Sequence, residues 1–447
     1  MFGPRQVRRL ILVCSALLCA AVVWAAAPPA IDAAFEKFWS ARTPQDAAKA
    51  VEAVVRSGIT FDEALARLKR GRTYAAQPKR GLVKLQRRAV AGDFFYDLNV
   101  PLNYDAARKY QVRVQLHGGV MRREASEPRA AGGRGGGATL EGAEQIYVMP
   151  VAWRDAPWWG RAQVENIDAI LDSLKRTYNV DENRVVLAGV SDGATGLYYF
   201  AMRDTTPFAS FLPLNGHMMV LANDRLGLDS ELFPTNLLNK PLFVVNGGQD
   251  PLYPIRSVEP YLEHLRASGV SVDYHPRPEA GHNTAWWPEL KDAFEGFVRD
   301  HPRDPLPATL TWETTDRDAP SRAHWLVIDR VKPSVAADRQ GWVDLNVFSG
   351  PGLNHGRDLF VRARPSGRVD LTRRGNTVEM RTRDVAALTL LISPDAFDFS
   401  QPITVSANGR IVAEQRVEPS VATLLKWAAR DNDRTMLFGA ELPIALK

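Results

Sequence analysis

The segment VVLAGVSDGATG, residues 185–196, decides how the middle of the chain folds. It begins with small apolar residues typical of a buried strand and continues past Ser191 into residues typical of a helix. Gly189, Ser191 and Gly193 fit the pattern G-x-S-x-G, in which a serine lies on a tight strand-to-helix turn with its hydroxyl exposed. Gly196 would let that helix lie close to the sheet. The segment therefore predicts a nucleophilic serine, although a serine in a glycine-rich bend would have the same letters.

Apolar runs typical of strands alternate with segments of helical periodicity on both sides of this turn, over residues 79–303. Strands separated by helices of ten residues or more form a mostly parallel sheet with helices on both faces. Two β-rich runs at the start, GLVKLQRRAV and FFYDLNVPLNY, add an antiparallel edge. We therefore expect an α/β domain over this range.

The segments before and after this domain differ from it in pattern. Residues 28–78 contain capping signals at Thr43 and Thr60 and predict two short helices that pack on the domain that follows. After a proline-rich linker, residues 308–447 show mainly alternating strands, including a hairpin whose Asn408-Gly409 pair fits a type I′ turn. We expect a β-sandwich-like accessory domain there.

The first 27 residues have the pattern of a signal peptide, with three arginines, an apolar run over residues 10–24 and then alanines. The run is short for a retained membrane anchor, so we expect a secreted or periplasmic protein without stable membrane insertion after cleavage. The general and twin-arginine routes both remain open. Both cysteines, Cys14 and Cys19, lie in this segment, so the mature chain has no thiol nucleophile, disulfide or cysteine–metal site. It keeps 53 basic and 51 acidic residues, a balance that argues against a nucleic-acid partner.

A serine nucleophile needs a base, and that base needs an orienting acid. Asp250 follows the apolar strand PLFVVNGG, at the strand end where open α/β sheets place their active residues. His282 follows one further helix and strand, in PEAGHN. Asp273 and Glu279 are weaker candidates for the acid, because the first lies within a predicted strand and the second lies too close to the histidine loop. The chain order Ser191, Asp250, His282 predicts a catalytic triad.

A tetrahedral oxyanion also needs backbone N–H donors. One is expected from Asp192, the residue after the nucleophile, and the other from Gly118 or Gly119 in VQLHGGV. The Asp192 carboxylate lies at a helix N-terminus and should turn away from the developing charge. His117 is expected to orient this loop rather than to act as a second base.

Four motifs, LHGG, GVSDG, NGGQDPLYP and EAGH, together resemble secreted α/β-hydrolases of the dienelactone-hydrolase-like, prolyl-oligopeptidase-like and polyhydroxybutyrate-depolymerase-like groups. The resemblance covers about residues 80–300. It implies an α/β-hydrolase fold and a serine hydrolase that acts on a small-molecule or polymer ester, and it is poorly specific for substrate. A prolyl-oligopeptidase-type peptidase is the main rival, although no blade-like repeat is visible. A carbohydrate- or polymer-binding protein with a vestigial hydrolase domain is the alternative from another class.

Four tryptophans fall in loops beside these motifs, and their role is open between core packing and a stacking cleft for substrate. They are Trp153, Trp158, Trp159 and Trp286. The sequence contains no H-E-x-x-H motif or histidine pair, so we expect neither a catalytic metal nor a cofactor. Its oligomeric state cannot be inferred from these patterns.

Overall fold

The computed structural model describes residues 29–121, 140–228, 231–315, 321–333, 341–350, 353 and 355–446. The predicted signal peptide, residues 1–27, lies outside these ranges. Among the helices within them, none has both the length and the apolar character that a membrane span requires.

From residue 29 onward, where the description of the structure begins, three helices precede the central sheet, one more than the sequence predicted: α1 Pro29–Trp39, α2 Pro44–Arg56 and α3 Phe61–Arg70. The hydroxyls of Thr43 and Thr60 cap α2 and α3 by accepting from the backbone N–H three residues later. The additional helix, α1, buries residues at helical spacing, among them Ile31, Phe35 and Phe38. The apolar cluster that these helices form is completed mainly by a helix near the chain's C-terminal end, and not by the domain that follows.

The central sheet has eight strands in the spatial order β1-β2-β4-β3-β5-β6-β7-β8. The pairs β1–β2 and β2–β4 are antiparallel, and all the others are parallel. The antiparallel edge predicted from the sequence is therefore present. The strands are β1 Gly81–Ala89, β2 Gly92–Val100, β3 Tyr110–Leu116, β4 Ile146–Pro150, β5 Val180–Val190, β6 Phe211–Leu214, β7 Leu242–Gly247 and β8 Val272–Arg277.

Helices cover both faces of this sheet and bury its apolar strands. On one face, α4, α5 and α6 enclose the largest core, and on the other face α7 packs on β5 and β7. Between β6 and β7, the described residues form three short 3-10 helices. This is the α/β-hydrolase fold, with the serine between β5 and α5. The helices are α4 Arg161–Thr177, α5 Asp192–Arg203, α6 Ile255–Ala267 and α7 Trp287–Asp300.

The C-terminal part forms further sheets around a second core. A five-stranded sheet has the order β18-β17-β15-β14-β9, a four-stranded sheet has the order β10-β11-β16-β19, and β12 pairs with β13. The elements are β9 Thr309–Thr314, β10 Arg322–Ala323, β11 Leu326–Val331, β12 Val347–Phe348, β13 Arg357–Asp358, β14 Gly367–Arg374, β15 Thr377–Arg383, β16 Val385–Ile392, β17 Ile403–Ala407, β18 Arg410–Gln415, α8 Val421–Asp431 and β19 Ala440–Ala445.

Local chemistry explains where these strands agree with the sequence and where they differ. Asn408 and Gly409 have φ values of 51° and 78°, as a type I′ turn between β17 and β18 requires. The runs GWVDLNVF and DLFVRAR lie within residues 308–447, where mainly alternating strands were expected, but the structure has only the two-residue β12 and β13 at these two runs. Their apolar residues Leu345, Phe348, Leu359 and Phe360 are buried in the core of the α/β domain instead, so their burial does not depend on a sheet.

Buried ion pairs join the C-terminal part to the α/β domain. Arg303 and Asp433 lie 2.6 Å apart, each with a side chain only 2% exposed. Arg434 contacts Glu182 at 2.5 Å on another part of the same boundary. Removing one member of such a pair would leave an uncompensated buried charge, so these contacts fix how the two parts pack.

Candidate active site

Ser191 lies on the sharp turn between β5 and α5. Its backbone has φ 57° and ψ −119°, a conformation that residues other than glycine rarely adopt and that costs about 1–3 kcal/mol. The two glycines of the motif make the turn sterically possible. A Cβ on Gly189 would lie 2.2 Å from the carbonyl oxygen of Gly193, and one on Gly193 would lie 2.2 Å from that of Leu116. The G-x-S-x-G pattern therefore reflects the space that the turn leaves.

The three residues predicted as a triad form one chain of hydrogen bonds. Ser191 Oγ lies 2.9 Å from His282 Nε2, and His282 Nδ1 lies 2.7 Å from Asp250 Oδ2. The Asp250 side chain is fully buried, whereas the His282 side chain is 24% exposed. This arrangement can move a proton from the hydroxyl to the imidazole while the carboxylate holds the ring.

Backbone groups hold the carboxylate in place. Asp250 Oδ1 accepts hydrogen bonds from the N–H groups of Leu252 and Tyr253, at 2.8 and 3.0 Å. Its other oxygen remains for the imidazole. Two glycines before it allow the acid loop to lie against the histidine loop, because a Cβ on Gly247 or Gly248 would come within 2.3 Å of a carbonyl oxygen there. The acid and the base are therefore positioned through backbone contact between two loops.

The predicted oxyanion donors lie beside the serine. A Cβ on Gly118 would lie 2.9 Å from the Cβ of Ser191, and Gly119 has φ 69°, a value that glycine adopts readily. Within the described part of the chain, the N–H groups of Gly118, Gly119 and Asp192 donate to no protein acceptor. These amides are therefore available to a substrate oxygen.

The Asp192 carboxylate turns to the oxyanion loop. Its Oδ2 accepts the N–H of Val120 at 2.9 Å. His117 supports the same loop from the other side, with Nδ1 2.8 Å from the Gly118 carbonyl oxygen and Nε2 accepting from the N–H of Ala152 at 3.1 Å. Both ring nitrogens of His117 are therefore engaged in holding the loop.

The four tryptophans considered for a stacking cleft lie in the protein core. Trp158 is fully buried, Trp159 is 2% exposed, Trp286 is 4% exposed and Trp153 is 8% exposed. A ring that other side chains enclose offers no free face to a ligand, so this burial favours core packing over a stacking cleft for these four residues.

Trp158 instead connects the core to the site. Its indole N–H donates to the His117 carbonyl oxygen at 2.8 Å. Gly196 packs against it, since a Cβ there would lie 2.0 Å from the Trp158 Cβ. Gly196 was expected to allow close packing of the helix on the sheet, but the atoms nearest to its added Cβ belong to this tryptophan.

Sequence reasoning missed two residues that border the site. Asn215 follows β6 with φ 48°, and its Nδ2 donates to the Asn283 carbonyl oxygen at 2.7 Å, next to His282. Tyr253 lies edge-on to the His282 ring with 5.7 Å between centroids. Burial, helped by the charges of Asp192 and Asp250, raises the pKa of Tyr253. Their position at the carboxyl ends of β6 and β7 is the signal that could have identified them.

No cluster of three or more histidine, cysteine, aspartate or glutamate side chains suited to hold a metal occurs among the residues that the structure covers.

Comparisons with known proteins give limited matches. No family model matches the chain. A curated relative, the bifunctional acetylxylan esterase/xylanase XynS20E of Neocallimastix patriciarum, is 26% identical over 124 residues, which are 27% of this chain and 17% of the relative. The match therefore spans about a sixth of the relative's length.

Two solved structures illustrate the structural likeness. A thermostable esterase has a TM-score of 0.40 and 22% identity, covering 50% of this chain and 63% of its own. The S-formylglutathione hydrolase FrmB of Staphylococcus aureus has a TM-score of 0.38 and 17% identity, covering 50% of this chain and all of its own.

Proposed function

We propose that this protein is an exported serine hydrolase that cleaves carboxylic esters through an acyl-enzyme. The observation that carries the proposal is the hydrogen-bonded chain from Ser191 Oγ through His282 to Asp250, beside three backbone amides that have no protein acceptor in the described residues. The buried carboxylate and the strained serine turn support it, because both hold reactive groups in one geometry.

In the proposed first half-reaction, Ser191 Oγ attacks the ester carbonyl carbon while His282 Nε2 takes the hydroxyl proton. Asp250 keeps Nδ1–H oriented and stabilises the imidazolium. The carbonyl oxygen becomes an oxyanion that accepts from the amides of Asp192 and of Gly118 or Gly119, a contribution of roughly 3–4 kcal/mol per donor in comparable sites. The C–O bond to the alcohol then breaks, and the imidazolium returns the proton to the leaving oxygen.

The second half-reaction uses the same groups. His282 Nε2 takes a proton from water, whose oxygen attacks the acyl carbon, and the resulting oxyanion forms at the same amides. When the acyl–Oγ bond breaks, the proton passes back to Ser191 Oγ and the carboxylic acid is released. The enzyme ends in its starting protonation state.

An ester is favoured over a peptide amide as the substrate. The curated relative is named as an acetylxylan esterase and xylanase, which favours an ester. A peptidase of the prolyl-oligopeptidase type remains the rival, and no separate observation in the site favours it.

A fluorophosphonate probe tests the nucleophile. We expect it to label the mature protein and to fail on Ser191→Ala, while Ser40→Ala, which alters an exposed serine of the N-terminal helices, is labelled as strongly as the unmodified protein. Equal labelling of Ser191→Ala would contradict the proposal.

Turnover of short-chain nitrophenyl esters should exceed that of matched anilides, and dominant anilide cleavage would reverse the ranking of ester over amide. Export predicts recovery outside the cytoplasm with residues 1–27 removed.

A further inference from the structure

A second site lies on the outer face of the five-stranded sheet, away from the serine. An open groove of about 1020 Å³ runs over β9, β14, β15 and β17. At one end it is bordered by the α/β domain, through Leu238, Asn239 and Ser268. Because these residues precede β7 and β8, the groove opens at the amino ends of those strands, whereas Asp250 follows the carboxyl end of β7.

A row of polar side chains crosses the floor of the groove. The strand register aligns one residue from each of the four strands. Thr309 lies opposite Thr372, Thr372 lies opposite Glu379, and Glu379 lies opposite Ser406. The residues that alternate with them along each strand, such as Leu371 and Val378, are buried in the core beneath the sheet.

The hydrogen-bonding groups of this row are free. In the ranges that the structure describes, none of the four side chains has a protein hydrogen-bond partner, and Thr309 and Glu379 are exposed. They are therefore available to an external ligand without breaking an internal contact.

A parallel row beside the floor is held by internal contacts. Thr311, Asp370 and Arg381 are in register across three strands. Asp370 pairs with Arg368 through two bonds of 2.9 Å, and the Arg381 guanidinium lies 4.2 Å from the centre of the Trp342 ring. These contacts give the groove one fixed wall.

The charges and spacing of the groove favour an uncharged, hydroxyl-rich ligand. The groove is lined by two carboxylates, Asp370 and Glu379, and by two guanidiniums, Arg368 and Arg381, so neither a polyanion nor a polycation meets a complementary field. The remaining polar lining consists of hydroxyl and amide groups, which donate to and accept from hydroxyls. Strands lie about 4.8 Å apart, close to the length of one sugar unit in an extended glycan.

We propose that this groove binds an uncharged polysaccharide chain that lies across the strands. Glu379 and the three hydroxyl residues of the floor row contact successive sugar units. Because the groove and the serine lie at opposite ends of the strands, the bound chain is an anchor for the protein and not the bond that is cleaved.

Affinity electrophoresis tests the binding. We use the mature protein with Ser191→Ala, run in gels that contain neutral arabinoxylan, hydroxyethylcellulose or galactomannan, or anionic polygalacturonate. We expect retardation by at least one neutral polymer and about 10-fold weaker binding with Glu379→Ala and Ser406→Ala together, as expected when two hydrogen bonds are lost. Neither side chain has a hydrogen-bond partner among the described residues, and thermal denaturation checks that the variant folds.

Glu414→Ala, on the edge strand β18 outside the groove, is the matched control and should bind as the parent does. The proposal is overturned if no neutral polymer retards the protein, if polygalacturonate retards it most strongly, or if the control weakens binding as much as the groove variant.

A second measurement rests on the proposed function. With Ser191 restored, the groove variant should hydrolyse a soluble nitrophenyl ester at the parent rate but release acetate more slowly from insoluble acetylated xylan. Failure of all ester hydrolysis would contradict the proposed function alone, because the binding assay uses the protein without its serine. Equal loss on both substrates would contradict the anchoring role.

Discussion

At the scale of single residues, Asp192 connects the two loops that meet at the serine. Its carboxylate binds the Val120 amide, and its own amide is the first of α5. Gly118, in the same loop as Val120, packs against Ser191 on the neighbouring turn. This contact sets the distance between the proposed donors of the loop and the Asp192 amide. A negative charge is favoured at a helix N-terminus, which stabilises the carboxylate in this position.

Asp192→Ala tests that connection. The substitution removes the acceptor for Val120 and lets the oxyanion loop move, so donors that act mainly in the transition state are misplaced. We expect kcat for a short-chain nitrophenyl ester to fall about 10-fold with little change in KM, corresponding to about 1.4 kcal/mol. Steady-state kinetics measures both constants.

Asp192→Asn is the matched variant, since it keeps an acceptor oxygen and should lose less activity than the alanine variant. A loss confined to KM, or equal losses in the two variants, would show that the carboxylate does not position the loop.

At the scale of elements, α5 is buried along most of its length, and a glycine sets how closely it packs. Residues 193–203 are all buried, and Gly196 meets Trp158, whose indole holds the oxyanion loop. The helix, the tryptophan and the loop therefore form one packed unit beneath the serine.

Two glycine-to-alanine substitutions separate packing from helix propensity. Gly196→Ala places a methyl group 2.0 Å from the Trp158 Cβ and should lower the free energy of unfolding by about 3 kcal/mol. Gly296→Ala, in α7, meets only Arg299 Nη2 at 3.6 Å and should raise it by about 0.5–1 kcal/mol. Denaturant unfolding measures both changes, and a similar change in the two variants would refute the packing argument.

Capping and turn chemistry made several elements predictable from sequence. The Thr43 and Thr60 caps and the Asn408-Gly409 turn depend on residues within a few positions of one another, so the local sequence is enough to predict them. The runs around Phe348 and Phe360 failed as strand predictions because their apolar residues are buried against another domain. Alternation along a strand cannot distinguish that burial from burial in a sheet.

At the scale of the whole molecule, a cavity of about 800 Å³ lies where α4, β1, β2 and the C-terminal part meet. Asp168 and Asp204 share a hydrogen bond there, and arginines of the surrounding elements, including Arg322 and Arg430, also line it. Burial raises the pKa of Asp204 to about 6. Desolvation within the cavity and the nearby Asp204 charge raise the pKa of Asp168, although part of the Asp168 residue stays exposed to solvent.

These shifts predict how stability depends on pH. A carboxyl group whose pKa is higher in the folded protein stabilises it below the unfolded value, near 4, and that contribution is lost as pH rises through about 6. Asp168→Asn removes the repulsion between two carboxylates while keeping a hydrogen-bonding side chain. We expect Tm to rise by about 2 °C at pH 8, with no gain at pH 4.

Thermal denaturation at the two pH values measures the effect. Glu263→Gln, which removes an exposed carboxylate from α6, is the control and should leave Tm unchanged at both. The half-buried His217, whose pKa desolvation lowers to about 4, destabilises the protein as pH falls, but it acts equally in all three proteins. A gain at pH 4 as large as that at pH 8 would contradict the proton-sharing argument.

The sequence by itself determined the features that depend on local geometry or chain order: the strand–helix alternation, the serine turn, and the candidates Ser191, Asp250 and His282. The tertiary structure decided features that depend on distant neighbours. It buried the four tryptophans, paired α1–α3 with α8, and aligned the polar groove row across four strands. Burial and strand register are set by residues far apart in the chain, so no local pattern specifies them.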